Sequence, residues 1–161
     1  MLRRILLCAA LLTATPLKAD SPPALAEALV EQYLAAIDGS AALLADRPPA
    51  GTVSAQFEAL REERVQAIFA IGQKVAMLDA GGRAQVEAAV NSVNARLQYD
   101  PALKPRYDAY FEAVKHYFST DREFARRLQT INILTQYAFF DLLRKQEPAE
   151  AARLGLDPKG D

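Results

Sequence analysis

The chain has 161 residues, 51% of them hydrophobic, with 19 Lys+Arg set against 20 Asp+Glu and a single histidine. This balanced charge offers no basic excess for a nucleic-acid backbone or an anionic lipid surface. One cysteine excludes an internal disulfide framework and a multi-cysteine metal or haem attachment.

Residues 1–19 read as a secretory signal. Arg3 and Arg4 form a positive start, residues 5–12 a short apolar run, and Ala19 a small residue at the expected cleavage point. The run is too short to span a bilayer as a helix, so the mature chain is expected in the periplasm or outside the cell, with no stable membrane insertion. Leu7 is too bulky, directly before Cys8, for a lipid-anchored cysteine. Cleavage removes Arg3, Arg4 and Lys18 and no acid, so 19 basic groups less three leaves 16 against 20, a net charge of −4. It also removes Cys8, leaving the mature chain to rely on its hydrophobic core in an oxidising compartment. Residues 20–156 are expected to form one helical domain and residues 157–161 a frayed tail.

Ser21-Pro22 has the form of an N-cap followed by proline in the first turn, and opens a first helix. Leu25, Leu29, Tyr33, Ala36 and Ile37 recur along it at helical spacing, and Gly39-Ser40 marks a possible interruption. The segment 47–51, Arg-Pro-Pro-Ala-Gly, is the clearest loop. A second helix is predicted over 54–79 with a seam of Phe57, Leu60, Ile68, Ile71, Val75 and Leu78, stopped by Gly81-Gly82. A third, over 83–99, carries Val86, Val90, Val93 and Leu97 and stops at Asp100-Pro101. The fourth presents Tyr107, Tyr110, Phe111, Val114, Tyr117 and Phe118 on one face. Thr120 and Glu123 match a capping box that opens a fifth helix running to about Gln146. A short piece from Pro148 ends at Gly155. There is no alternating strand pattern and no internal repeat. The expected fold is therefore all-α, an antiparallel bundle of about five helices with a largely buried C-terminal helix.

The fifth helix has an unusual pattern. On a wheel of about 100° per residue, Phe124, Leu128, Ile131, Ala138 and Leu142 share one face, and Ile133, Tyr137 and Phe140 fall nearly opposite. Two apolar faces require either that neighbours enclose the helix or that the second seam is a dimer face or partner groove. Aromatic residues crowd the same half of the chain, where tyrosines give either a core with wet hydroxyls or the lining of a pocket for an amphipathic ligand.

Catalytic and metal chemistry finds little to work with. His116 has only Glu112 as a neighbour at ligand spacing and falls opposite the apolar face, which predicts an exposed i,i+4 pair rather than a zinc site. Nucleophile elbows and phosphate loops are absent, and the acids Glu58, Glu62 and Glu63 beside Arg61 and Lys74 read as a solvated face. Arg64 breaks the apolar arc of the second helix and needs an acceptor, either a carboxylate such as Asp141 or a ligand's acid group. Asn132 and Thr135 are polar groups among apolar neighbours and also need partners. No catalytic residue, cofactor or metal is predicted. The residues point to an exported, non-enzymatic binding or interaction protein, an adaptor or chaperone-like accessory subunit, with a protein partner or self-association. The other reading is a carrier of an amphipathic small molecule between the second, fourth and fifth helices. Candidate contact residues are Arg64, Tyr107, Tyr110, Tyr117, Ile133, Tyr137 and Phe140, with Arg106, Arg126 and Arg127 setting orientation.

Overall fold

The computed structural model describes residues 21–156; the segment expected to be a signal, 1–19, and the one expected to fray, 157–161, lie outside the described residues. The helices are α1 (Pro22–Leu44), α2 (Ala50–Ala76), α3 (Ala80–Tyr99), α4 (Lys104–Thr120), α5 (Arg122–Leu128), a 3₁₀ segment (Gln129–Ala138), α6 (Phe140–Gln146) and α7 (Pro148–Arg153). No strand occurs among the described residues. The all-helical class and the packing of long neighbouring helices agree with the sequence pattern.

The most surrounded element is α1, which packs against α2, α3, α4 and the 3₁₀ segment. Its buried residues, Leu25, Leu29, Tyr33, Ala36, Ile37 and Leu44, continue past Gly39-Ser40 without a break. The loop 45–49 turns on Arg47, whose φ of 50° is left-handed. Tyr117 of α4 pins it by donating to the Pro48 carbonyl. The next helix starts at Ala50, earlier than predicted. Gly81-Gly82 is no helix stop: Asp79 caps α3 by accepting from Gly82 N at 2.7 Å, so both glycines lie in its first turn. At α5 the N-cap is Asp121, whose carboxylate accepts from Phe124 N at 2.9 Å. Thr120 instead donates back to the His116 carbonyl, so the predicted capping box is shifted by one residue. Asp is as good an N-cap as Thr and is one residue closer to the turn.

The larger correction concerns the predicted fifth helix, which is three pieces: α5, the 3₁₀ segment and α6. After two turns of α5 the chain tightens into ten residues of 3₁₀ helix. Such runs rarely exceed three or four residues. The sequence here explains this one. Leu128, Ile131, Leu134 and Tyr137 recur every third position, and side chains three apart eclipse in a 3₁₀ helix, so all four lie on one buried ridge. An α-helix would turn Tyr137 away from Ile131. Thr130, Ile131, Ile133 and Thr135 are β-branched and weaken the competing α form.

The opposite seam consequently dissolves. Tyr137 lies in the core, whereas Ile133 and Phe140 are only partly buried. The predicted large burial of a C-terminal helix belongs to α5 and the 3₁₀ segment; α6 and α7 bury only Leu143 and Ala151. Close approach of the 3₁₀ end to α2 depends on Gly72. A Cβ there would lie 2.7 Å from Ala138 Cα and 3.0 Å from the Phe140 ring. Phe140 in turn packs on Phe69, with ring centroids 5.1 Å apart.

Candidate functional site

The outer side of α4 is the most distinctive surface. Its buried arc is formed by Ala113, Tyr117, Tyr110 and Val114. On the helical wheel Tyr107, Phe118 and Phe111 follow on one edge of that arc, within about 40° of one another. The aromatic sector is thus wider than the sector the neighbouring helices cover. Phe111 is 49% exposed and Phe118 40% exposed, and Tyr107 is half-buried with its ring stacked on Phe111 at 6.0 Å. Lys104, Asp108, Glu112 and Lys115 surround them, paired as Lys104–Asp108 and Lys115–Glu112. Among the described residues, the other strongly exposed large apolar side chains are Met77, at the C-cap of α2, and Tyr99, at the end of α3, and single exposed apolar residues are ordinary for a protein surface.

The candidate tyrosines divide by where their hydroxyls go. Tyr110 donates to the Leu128 carbonyl at 2.8 Å and joins α4 to the last turn of α5; burial pushes its phenol well above the ordinary range. Tyr117 is spent on Pro48 and meets the Phe124 ring edge-on at 4.9 Å. Tyr137 joins a polar cluster described below. These three are buried to 2% exposure or less, so a docked molecule would not reach them without rearrangement. Only Tyr107 of the tyrosine set reaches the surface, and the structure brings it together with Phe111 and Phe118, which the residue-type argument had placed on the core-facing side of the helix. His116 is half-buried rather than exposed. Its ring stands edge-on to Tyr117 at 5.1 Å, and Glu112 pairs with Lys115 instead.

Arg64 does not meet Asp141. Its guanidinium donates to Gln32 at 2.9 Å and pairs with Glu63 at 2.9 Å, at the wet edge between α1 and α2, while Asp141 pairs with Arg144. Of the orienting arginines, Arg106 forms a two-pronged pair with Asp38 of α1. Arg127 donates to Ser54 at 2.8 Å and lies over the Phe124 ring at 5.4 Å. Arg126 is exposed.

The densest charged cluster joins α2, the 3₁₀ end and α7, and sequence spacing gave no hint of it. Arg61 donates to the Tyr137 hydroxyl at 2.8 Å, and that hydroxyl donates to Glu150 at 2.9 Å. Arg153 bridges Glu150 and Glu62, each at 2.9 Å. Burial and the Glu150 hydrogen bond push the Tyr137 phenol up to about 12. Hydrogen bonds from Arg153 and Gln66 hold Glu62 below the ordinary carboxylate range. Burial alone would raise Glu150, but the donors Arg153 and Tyr137 overcome it and hold it low as well. Depressed carboxylates stabilise the fold above their ordinary values, and that contribution is lost as pH falls through the folded-state values. We expect α7 to detach first on acidification below about pH 4. Cα chemical shifts of residues 148–153 should move to coil values before those of α1; loss of both together would contradict this.

Among the described residues, no three His, Cys, Asp or Glu side chains are grouped to hold a metal, and no helix is long and apolar enough to cross a membrane. Comparison with family models, curated proteins and solved structures finds no match to this chain.

Proposed function

We propose that the chain is an exported, non-enzymatic helical binding protein that docks a partner protein through the outer face of α4. The observation that carries this reading is the exposure of Phe111 and Phe118, two turns apart beside Tyr107, on a helix whose other face is firmly built into the core. Anchors at i and i+7 with a third one turn earlier fit the mode in which one helix lays its apolar edge into a groove of another protein. The surrounding Lys–Asp and Lys–Glu pairs supply a polar rim that excludes water from aromatic anchors. The partner is accordingly a protein with an apolar groove edged by charges of both signs.

The double variant Phe111→Asp/Phe118→Asp tests this. Neither side chain fills the buried arc, so the variant should remain folded, with unfolding free energy within about 1 kcal/mol of the parent. In a gentle extract of the native host, the parent should elute in size-exclusion chromatography as a complex and the variant as the free chain. Co-elution of the variant with the same complex would contradict the reading.

A further inference from the structure

A second feature lies on the inner side of Tyr107. Tyr33 of α1, Asn94 and Gln98 of α3, Tyr107 of α4 and Asn132 of the 3₁₀ segment line a hollow of about 230 Å³. We propose that this hollow is a binding site for a neutral polyhydroxylated molecule with about the bulk of one sugar ring.

The lining chemistry supports that class. It holds three carboxamides and two phenols, with no carboxylate and no cation. Burial, and the neighbouring Tyr107, push the Tyr33 phenol up to about 12, so it stays a neutral hydroxyl. An anion or a cation would find no counter-charge among these lining groups, whose three carboxamides stand exposed to water. An apolar guest would strand the polar groups without partners. A hydroxyl both donates and accepts, as does each carboxamide, so a ring bearing several hydroxyls can meet Asn94, Gln98 and Asn132 together.

The groups are also available. The Tyr33 hydroxyl donates to Asn94 Oδ1 at 3.3 Å, beyond the usual O–H···O range. The side-chain polar groups of Gln98, Asn132 and Tyr107 make no hydrogen bond to another described residue. A volume of about 230 Å³ holds roughly eight waters, which suits one ring and not a chain of them. Tyr107 offers a ring to the carbon–hydrogen face of such a molecule. The hollow also gives Asn132 a role: this amide sits among apolar neighbours in sequence, and the 3₁₀ twist brings it to the α1–α3–α4 junction. The proposal does not depend on partner docking at α4, because its walls come from four segments of this chain alone.

The test is an NMR titration of the ¹⁵N-labelled chain with glucose, galactose and myo-inositol, and with glucose 6-phosphate as the charged counterpart. At least one neutral compound should shift the side-chain amide signals of Asn94, Gln98 and Asn132 saturably, with a Kd of about 1 mM or tighter. Asn132→Leu, at an exposed position with no interior bond to lose, should keep the parent's fold and weaken that binding at least tenfold. The phosphate should bind at least tenfold more weakly than glucose. The proposal is overturned by absence of a saturable shift with all three neutral compounds, by unchanged binding in Asn132→Leu, or by tighter binding of the phosphate.

Discussion

Gly72→Ala should lower the unfolding free energy by about 2 kcal/mol, although alanine is the better helix former. The added Cβ meets the Ala138 backbone at 2.7 Å and its carbonyl oxygen at 3.1 Å. A side-chain end could swing aside, but backbone of the 3₁₀ segment cannot move without disturbing the Ile131–Leu134–Tyr137 ridge. Overpacking of this kind costs about 1–3 kcal/mol, occasionally more, against a gain of about 1 kcal/mol from helix propensity. Gly51→Ala is the matched control. It lies in the first turn of α2 with nothing within 4 Å of the new Cβ, and should stabilise by about 0.5–1 kcal/mol. Urea unfolding of the two variants should therefore move the midpoint in opposite directions. Equal midpoints would show that α2 and the 3₁₀ end are further apart than described.

Tyr137→Phe should cost about 3 kcal/mol or more while keeping the ring in place. The hydroxyl accepts from Arg61 and donates to Glu150, two hydrogen bonds to charged groups, and each such bond contributes about 1.5–3 kcal/mol. Arg61 is only 16% exposed and its Nε already has no hydrogen-bond partner among the described residues. Removing the phenol leaves that guanidinium poorer still. Tyr110→Phe removes one neutral bond, to the Leu128 carbonyl, and should cost about 1 kcal/mol. The variants also differ in where they act. Loss of the Tyr137 hydroxyl should raise the Glu150 pKa and increase amide exchange in α7, whose Leu154 N–H is held by the Glu150 carbonyl; Tyr110→Phe should leave α7 unchanged. A cost below that of Tyr110→Phe, with α7 unchanged, would contradict this account of the cluster.

What was readable in the amino-acid pattern follows from the period assumed. The seams of α1 and α3 emerge from a 3.6-residue repeat because those helices are regular; in α2 the same repeat finds Phe57, Ile68 and Val75 but misses Val53 and Val65, and Leu60, Ile71 and Leu78 are only partly buried. The segment from Leu128 to Tyr137 obeys a three-residue repeat, and treating it as α-helical created a false second face from Ile133, Tyr137 and Phe140. The signal was present as Leu-x-x-Ile-x-x-Leu-x-x-Tyr among β-branched neighbours. At α4 the apolar stripe was correctly placed, but periodicity gives the width of a stripe and not how much of it a neighbour covers. Phe111 and Phe118 are exposed because the buried arc ends before the aromatic one does. The Arg61–Tyr137–Glu150 cluster and the Asn94–Gln98–Asn132 hollow join residues far apart in the chain. Such groupings depend on how helices are stacked, which a single sequence does not encode at the level of spacing.

The proposed role stands or falls on whether the exposed aromatic edge of α4 meets another protein in the cell. A photo-crosslinking amino acid placed at Phe118, with a second chain carrying it at exposed Asn91 of α3, tests that contact directly in the native host. The account predicts one discrete heavier adduct from position 118, lost when Phe111→Asp is added, and none from position 91. No adduct from 118, or the same adduct from both positions, would contradict it.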